Sequence, residues 1–453
     1  MKFKKVLTLG LVATSALTLS ACGGSSSSDG IVFWHTMGEA NMAVLDSIIA
    51  DFNKIYPEIK VTHAAQGGFD ELKEKVSTAI QGGNEPNLTY VYPDHVASYL
   101  SQQVVVDLDT FIDNTNKISS TGIATTDAFE DDIIGYSTDE QNDFIEGYWN
   151  EGKVYNSLGT MFSLPFSKST EAMYYNKTAF DANGWSVPTT WDEMWALCAT
   201  IKATEGYEDV TPFGYDSENN MFITLLEQNN LPYTSNDASN RYTFNTTEAV
   251  SLFTDIQKYY NAGYFTTKAL SEDEYTSTQF KAQDLLMTIG STGGASYNLP
   301  DKDGDGEYVF EYGVTAIPQE SNPMLGDAVS KVIQQGPSLA MLNDGSEKNM
   351  QTWLFMKYLL SPEVSATYSM STGYSPVRKS SLELDYFQEF VGLGTIQANS
   401  LQVAIEQNDS YYTSLAFNGS SNARVQVGFI MEKICLSGTD VAQAFKDAID
   451  ELK

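Results

Sequence analysis

The chain has 453 residues, which is enough for a large hydrophobic core and more than one domain. Its formal net charge is −33, with 59 acidic against 26 basic residues. So acidic a surface argues against binding to nucleic acid and against electrostatic attraction to anionic lipid. Cys198 and Cys435 lie among apolar neighbours in helical patterns, which predicts buried thiols rather than a disulfide between them.

The N-terminal segment is basic and then apolar. Its lysines precede an apolar run over 6–19, which is shorter than the ~20 residues that a helix needs to span a bilayer. This pattern predicts a secretory signal peptide over 1–21 rather than a buried N-terminal helix. The glycine- and serine-rich residues that follow, up to Gly30, predict a flexible tether with no packing face.

The end of this segment, Leu19-Ser20-Ala21-Cys22, resembles the lipobox of bacterial lipoproteins. The resemblance implies cleavage before Cys22 and attachment of diacylglycerol to its thiol. The lipidated cysteine and the tether together would cover 22–30. We therefore expect a protein that a lipid anchor holds at the extracytoplasmic face of the bacterial cell membrane.

Strands and helices alternate after the tether. The apolar run 31–34 predicts a strand, and apolar residues between positions 44 and 55 share one face of the helix that follows. Further strands are predicted at 59–61 and 88–92, with a helix between them that ends at Gly82-Gly83. This order predicts a parallel sheet with right-handed crossovers.

A second series of such elements begins near residue 172. Residues 172–176 predict a strand, and Thr190 to Glu193 form a capping box ahead of a helix. Another helix is predicted before Gly263, and a last one over 441–452. The two series predict an α/β fold with two lobes.

Short segments spread along the chain carry a family resemblance. They are, in chain order, Val32-Phe33-Trp34-His35-Thr36-Met37-Gly38, Leu164-Pro165-Phe166, Tyr174-Tyr175-Asn176-Lys177, Pro188-Thr189-Thr190-Trp191-Asp192-Glu193, Phe280-Lys281, Leu286-Met287-Thr288-Ile289-Gly290-Ser291, Tyr312-Gly313-Val314 and Thr372-Gly373-Tyr374-Ser375-Pro376-Val377. In this order and spacing they resemble the extracellular carbohydrate-binding proteins of ABC importers, a family that includes maltose- and glycerol-3-phosphate-binding proteins.

The resemblance implies the two-lobe fold of periplasmic binding proteins, with discontinuous lobes, a hinge and a central ligand cleft. It assigns 31–171 and 290–337 to the N-terminal lobe, and 172–289 and 338–453 to the C-terminal lobe. The segment 280–291 would then cross between the lobes. Ligands of open α/β sheets bind beyond the carboxyl ends of the strands, so two such edges facing each other form the cleft.

Eight residues are expected to line the cleft, because they follow a strand or resemble ligand-binding positions of the family. They are Trp34, His35, Phe69, Asp94, Ser167, Ser291, Tyr374 and Arg424. The alternative for Trp34 is core packing, for His35 a loop cap, and for Asp94 a helix N-cap. The two serines have turn positions as their alternative.

Arg424 is the most informative of these residues because the chain has only three arginines. The segment that it opens resembles an arginine segment near the C-terminus of the glycerol-3-phosphate branch, where a guanidinium could hold a phosphate or a pair of hydroxyls. A salt bridge to an acidic residue is the alternative. The branch's Gly-Gly-Ala-Ser stretch is replaced here by 334–338, which favours a neutral carbohydrate.

An acidic segment resembles the start of an EF-hand calcium loop. Asp301, Asp303 and Asp305 alternate, and Gly306 occupies the sixth position. Position twelve is Tyr312 instead of the bidentate glutamate. An acidic hairpin turn is therefore the favoured interpretation, and a weak calcium site is the alternative.

Common catalytic motifs are missing from the sequence, among them His-Glu-x-x-His, Gly-x-Ser-x-Gly and Gly-x-x-x-x-Gly-Lys. We therefore expect a binding protein rather than an enzyme, monomeric and without a cofactor. It would capture a carbohydrate or polyol and deliver it to the permease subunits of an ABC importer. Glycerol-3-phosphate or a glycerophosphodiester is the alternative ligand. A secreted glycoside hydrolase and a glycan-binding adhesin lipoprotein are the alternative classes.

Overall fold

The computed structural model describes residues 30–272 and 274–453. The predicted signal peptide over 1–21, the lipidation residue Cys22 and the tether up to residue 29 lie outside the described residues.

The strands of the described ranges are numbered here in chain order. They are β1 Ile31–His35, β2 Val61–Ala65, β3 Leu88–Val91, β4 Leu164–Pro165, β5 Glu171–Asn176, β6 Thr211–Tyr215, β7 Phe265–Thr267, β8 Leu285–Ser291, β9 Tyr312–Thr315, β10 Val332–Ile333, β11 Ser338–Met341 and β12 Tyr411–Tyr412.

The α-helices are α1 Glu39–Ile55, α2 Phe69–Gly82, α3 Pro93–Leu100, α4 Asp109–Ile112, α5 Thr138–Asn142, α6 Glu146–Glu151, α7 Lys177–Asn183, α8 Trp191–Lys202, α9 Glu218–Gln228, α10 Thr247–Asn261, α11 Thr276–Ala282, α12 Ser346–Leu359, α13 Pro362–Thr372, α14 Asp385–Val391, α15 Ile396–Glu406, α16 Ser420–Cys435 and α17 Val441–Glu451. Short 3₁₀ helices occupy Ile118–Thr121, Thr292–Asn298, Ser380–Glu383 and Asn408–Ser410.

Local sequence signals account for several of these elements. The apolar face of α1 is buried at Leu45, Ile48, Ile49 and Phe52, as its spacing predicted. The predicted capping box before α8 is confirmed, because the Thr190 side chain accepts from the amide of Glu193. The predicted strand at 59–61 lies slightly further along, at β2.

Two five-stranded sheets form the centres of two lobes, in the strand orders β2-β1-β3-β11-β4 and β7-β6-β8-β5-β9. In the first sheet β1 is parallel to β2 and β3, whereas β11 is antiparallel to β3. In the second sheet β6 is parallel to β7 and β8, whereas β5 is antiparallel to β8. Each sheet thus has a parallel half and an inserted antiparallel strand. The predicted α/β class with two discontinuous lobes is confirmed.

The predicted membership of the later segments was wrong for 290–337 and for the start of 338–453, whereas α16 and α17 lie in the second lobe as predicted. Strand β9 pairs with β5 in the second sheet, and β11 pairs with β3 and β4 in the first. The segment 290–337 therefore belongs largely with the second lobe, and the chain re-enters the first lobe at 338. Strand β8 does not cross between lobes, because it pairs on both sides within the second sheet.

A separate apolar core supports each lobe. Phe52 and Trp353 are buried in the first core, and Phe222 and Phe445 are buried in the second. Cys198 and Cys435 are free and buried, which confirms the prediction, and burial raises the pKa of both thiols. The cores are held without a disulfide among the described residues.

Two segments cross between the lobes side by side, at 166–171 and 333–338. Ser169 and Gln335 exchange backbone hydrogen bonds of 3.0 and 2.8 Å, and the hydroxyl of Thr170 donates to the carbonyl of Ile333 at 2.8 Å. A short two-stranded sheet of β10 and β12 adds a third segment to this crossing. The two crossing segments thus form a small antiparallel ribbon, and β12 pairs with β10 in parallel beside it.

A buried ion pair lies beside the ribbon. Lys168 donates to Glu151 at 2.6 Å and to the carbonyl of Gly336 at 3.0 Å. Their side chains are 0% and 3% exposed, so both charges are removed from water. Gln334 and Ser338 also donate to the Glu151 carboxylate. Burial lowers the pKa of Lys168, and the attraction of Glu151 opposes that shift. The pair thus joins α6 of the first lobe to both crossing segments.

We expect Lys168→Met to lower the free energy of unfolding by about 3–5 kcal/mol, because the Glu151 carboxylate is left buried without its cation. The double variant Lys168→Met/Glu151→Met should recover much of this loss, since both charges are then removed. Urea denaturation measures the difference. Lys54→Met, which removes an exposed pair with Asp51, is the control and should change stability by less than about 1 kcal/mol. Equal losses in the single and double variants would contradict the expectation.

We expect Gly336→Ala to destabilise the ribbon. Gly336 has φ of +84°, and an added Cβ would lie 1.9 Å from the carbonyl oxygen of Ser167. The left-handed conformation alone costs an alanine about 1–2 kcal/mol, and the clash adds to this. Gly304→Ala is the matched control, because nothing lies within 4 Å of the Cβ position there. A midpoint of urea unfolding equal to that of the control would be inconsistent with this role.

Candidate functional site

A cavity of about 690 Å³ lies between the two lobes. From the first lobe it is lined by the N-terminal turns of α2 and α3, which follow β2 and β3. From the second lobe it is lined by residues 216–220 after β6 and by Ser291 at the end of β8. The crossing ribbon closes one side through 333–336. The cavity therefore lies beyond the carboxyl ends of the parallel strands, where such sheets bind ligands.

Five of the eight predicted residues line this cavity, namely Phe69, Asp94, Ser291, Tyr374 and Arg424. Three do not, namely Trp34, His35 and Ser167. Trp34 packs against the core of the first lobe, and Ser167 is fully buried. The hydroxyl of Ser167 is hydrogen bonded to the hydroxyls of Tyr90 at 2.7 Å and Tyr368 at 2.9 Å. These three residues contribute to packing behind the cavity.

His35 belongs to a hydrogen-bonded chain that runs outward from the core, rather than to the cavity. The amide of Met37 donates to Nδ1 of His35 at 3.1 Å, so the neutral ring carries its proton on Nε2. That proton faces Nδ1 of His63 at 2.8 Å, and Nε2 of His63 faces a carboxylate oxygen of Asp46 at 2.9 Å. Burial, followed by the nearby His63, lowers the pKa of His35 to about 4. The chain fixes the loop between β1 and α1.

Aromatic rings supply flat apolar faces in the cavity. The rings of Phe69 and Tyr92 lie 4.5 Å apart, and both line the cavity. Tyr374 lines it as well, and its ring stacks on the buried ring of Tyr368 at an interplanar angle of 16°. Tyr368 therefore holds Tyr374 in place.

Lys73 connects Asp94 of the first lobe to Ser421 of the second. Lys73 on α2 donates to Asp94 at 3.0 Å and to the hydroxyl of Ser421 on α16 at 2.8 Å. Burial alone would raise the pKa of Asp94, but His95 and Lys73 outweigh it and hold the pKa below its usual value. Asp94 is not the N-cap of α3; that residue is Tyr92, and no side chain caps this helix. The N-cap alternative is therefore wrong.

Arg424 extends from the second turn of α16 toward α9. Its Nη2 donates to Oδ1 of Asn219 at 3.0 Å and to Oδ1 of Asn220. Within 30–272 and 274–453 it forms no salt bridge, so the ion-pair alternative is not what the structure shows.

Two further glutamates line the cavity, and the carboxylates of both are held by protein donors. Glu171 is 2% exposed and accepts from Asn220 at 2.8 Å and from Tyr215. Burial raises the pKa of Glu171 to about 7, although the hydrogen bonds from Tyr215 and Asn220 oppose the shift. Glu151 accepts from Lys168, as described above.

Three polar atoms of the lining are buried without a hydrogen-bond partner in the part of the chain that the structure describes. They are the hydroxyl of Tyr233, Nδ1 of His95 and the hydroxyl of Ser414. Buried polar groups are hydrogen bonded in the great majority of cases. These three atoms therefore lack the partner that buried polar groups usually have.

Sequence reasoning missed several lining residues. Tyr92 and Asp216 directly follow strands β3 and β6. The rule that polar residues after parallel strands face the cleft would have found them. Glu151, Glu171 and Tyr233 gave no such signal, because their positions depend on how the lobes meet.

The calcium candidate forms a surface turn. The carboxylate of Asp303 accepts from the amides of Asp305 at 2.9 Å and Glu307 at 3.1 Å, and Asp301 pairs with Lys281. No group of three or more histidine, cysteine or acidic side chains that could hold a metal occurs in the described ranges. The arrangement is that of the acidic hairpin turn.

Among the described residues, no helix combines the length and the apolar character that crossing a membrane requires.

Comparisons with known proteins place the chain in a family. Residues 47–395 match the family described as bacterial extracellular solute-binding protein. The sn-glycerol-3-phosphate-binding periplasmic protein UgpB of Escherichia coli K12 is 27% identical over 390 residues, which cover 83% of this chain and 80% of that protein. The corresponding protein of Shigella flexneri is equally similar.

Solved structures share the fold. UgpB of Mycobacterium tuberculosis in complex with glycerophosphocholine aligns with a TM-score of 0.71 at 18% identity, covering 93% of this chain and 97% of that one. Maltose-bound MalE3 of T. maritima aligns with a TM-score of 0.69 at 17% identity, covering 93% and 98%. The chain belongs to the family of bacterial extracellular solute-binding proteins.

Proposed function

We propose that this protein captures a carbohydrate or polyol between its lobes and delivers it to the permease subunits of an ABC importer. The observation that carries the proposal is the group of unpartnered buried atoms on Tyr233, His95 and Ser414. They lie in a cavity with the aromatic faces of Phe69, Tyr92 and Tyr374, and hydroxylated rings need both features. A cavity of about 690 Å³ falls in the range of small-molecule sites.

Binding rather than catalysis is supported by the state of the buried glutamates. Glycoside hydrolysis needs a pair of carboxyl groups that are free to act on the substrate. Here the oxygens of Glu151 accept from Lys168, Gln334 and Ser338, and those of Glu171 from Tyr215 and Asn220. The relatives named above are also binding proteins by name.

A glycerol phosphate or glycerophosphodiester is the second candidate ligand. Arg424 favours it, because this guanidinium lines the cavity without an acidic partner in the described ranges. The name of the Escherichia coli relative points the same way. Against it stand the carboxylates of Asp94, Glu171 and Asp216 in the same lining, which disfavour a second anion.

The lipid anchor at Cys22 and the extracytoplasmic location are part of the proposal. Their support is the basic and apolar N-terminal segment that ends in the lipobox-like sequence. A monomer is supported by the net charge of −33, because strong like charge keeps copies apart.

We expect a ligand to raise the midpoint of thermal unfolding. At 100 times its Kd a ligand adds about 2.7 kcal/mol to the stability of the folded state. Maltotriose, maltose, sorbitol and sn-glycerol 3-phosphate form the panel, measured by differential scanning fluorimetry. A shift with the sugars or sorbitol supports the first candidate, and a shift with the phosphate alone supports the second. The absence of any shift across the panel would contradict both.

Tyr374→Ala should abolish the shift, because it removes an aromatic face of the cavity. Tyr386→Ala is the matched control, since Tyr386 is exposed and does not line the cavity. Equal shifts in the two variants would argue that binding occurs elsewhere.

We expect Cys22→Ala to move the protein from the membrane fraction to the medium, because the acylated thiol is lost. Cell fractionation followed by immunoblotting makes the measurement. Cys198→Ala is the control, since this cysteine is buried in the second lobe. Membrane association of Cys22→Ala equal to that of the control would exclude the anchor.

A further inference from the structure

Arg424 retains most of its hydrogen-bonding capacity inside the cavity. A guanidinium carries five N–H donors, two of which lie on Nη2. Nη2 is used by the side-chain oxygens of Asn219 and Asn220. The donors on Nε and Nη1 have no protein acceptor in the portion of the chain that the structure describes. Whether these donors can reach a bound molecule depends on how Asn219 and Asn220 hold the Arg424 side chain.

The amide of Asn220 is oriented by Glu171. Its Nδ2 donates to Oε1 of Glu171 at 2.8 Å, so its Oδ1 faces Arg424. A carboxyl oxygen that accepts a hydrogen bond selects the NH₂ end of the amide. The reverse orientation would place the amide oxygen against the carboxylate and the NH₂ group against the guanidinium. Because both of its oxygens accept, one from Asn220 and the other from Tyr215, Glu171 determines which end of the Asn220 amide Arg424 meets.

Glu171 is itself fixed from several sides. It opens β5 directly after the crossing ribbon, and its other carboxylate oxygen accepts from Tyr215 on β6. Its backbone carbonyl accepts from the side chain of Gln407 at 3.0 Å. At the far end Gly428 lets α16 approach α9, because an added Cβ there would lie 3.3 Å from the Glu218 carboxylate. The distance from Glu171 to Arg424 is thus set by the sheet and by two packed helices.

We propose that Glu171 is a positioning residue, which fixes the Asn220 amide and thereby directs Arg424 into the cavity. The intervening amide lets Glu171 compensate the guanidinium charge without occupying its remaining donors. A direct ion pair would have occupied them.

The chemistry that these donors recognise is an oxyanion or a pair of adjacent hydroxyls. A phosphate ester and a sugar ring both offer it. The inference rests on the proposed function, because it takes the cavity as the ligand site. Titration with a sugar and with a glycerol phosphate distinguishes the two kinds of ligand.

Glu171→Gln tests the relay. A glutamine offers both a donor and an acceptor, so it no longer selects one orientation of Asn220. Calorimetric titration with maltotriose and with sn-glycerol 3-phosphate should show Kd raised about tenfold or more, which corresponds to about 1.4 kcal/mol, for whichever probe binds the unmodified protein. Asn220→Ala should have a similar effect, which provides a second variant if the first folds poorly.

Glu227→Gln is the matched control. Glu227 lies on α9, the helix that carries Asn220, and pairs with Lys331 at 3.2 Å, but it does not line the cavity. It should leave Kd within about twofold, the scatter expected for independent sites. An equal rise in Kd for this control would reduce Glu171 to a stabilising role and overturn the proposal.

A double-variant cycle measures the coupling between Glu171 and Arg424 in Kd, which a general loss of stability would not produce. In an Arg424→Ala background, Glu171→Gln should change Kd by no more than about twofold, because its route to the ligand is already gone. If the two effects instead multiply, Glu171 does not act through Arg424 and the proposal fails.

Crystal structures of the ligand-free protein and of Glu171→Gln give an answer that is independent of ligand. The relay predicts that Arg424 leaves Oδ1 of Asn220 in the variant and stays on it in Glu227→Gln. An unmoved Arg424 in Glu171→Gln overturns the proposal. If neither probe binds the unmodified protein, the proposed function loses its support, while this comparison still decides the relay.

Discussion

The arrangement of the lobes depends on one buried ion pair beside the ribbon that joins them. Lys168 lies on one crossing segment and its side chain is fully buried. It donates both to Glu151 of the first lobe and to the carbonyl of Gly336 on the other segment. A charge buried in this way is tolerated only where its partners are fixed, because an unpaired one is costly. The pair therefore fixes the register of the two segments. Gly336 makes this register possible, because a residue with a Cβ could not approach Ser167 so closely. Since Glu151 and 333–336 also line the cavity, the same register shapes the ligand site.

Cations are scarce in this chain, and three of them lie at the meeting of the lobes. Lys73 connects Asp94 to Ser421, Lys168 joins the crossing segments, and Arg424 is held by two asparagines. Their charges are compensated to different degrees. Lys168 is paired with the Glu151 carboxylate, whereas among the described residues Arg424 is hydrogen bonded only to neutral asparagines. Of the three, only Arg424 lines the cavity.

Local patterns predicted the elements well, because a helix face or a capping box depends only on residues that are close in sequence. The face of α1 and the cap of α8 are such cases. The alternation in β1 also predicts that His35 is buried. Ile31, Phe33 and His35 lie on the same face of this strand, so His35 points inward with the core residues. Phe69 and Asp94 line the cavity. The family resemblance indicated both residues, and Asp94 also directly follows a predicted strand. The membership of 290–337 and 338–453 could not be predicted in this way, since it depends on antiparallel pairing over long distances, such as β11 with β3. Glu171 was missed for the same reason, because its role arises only where β5, β6, α9 and α16 meet.

The position of β11 has a consequence for the order in which the protein can fold. This strand lies between β3 and β4 in the first sheet, yet more than half of the chain separates it from β3. An N-terminal fragment that ends before residue 338 would leave β4 without its neighbour and the first core uncovered on that side. The second lobe is also completed late, since α16 and α17 of its core follow β11. Both lobes thus depend on contacts between distant parts of the chain, which favours slow folding.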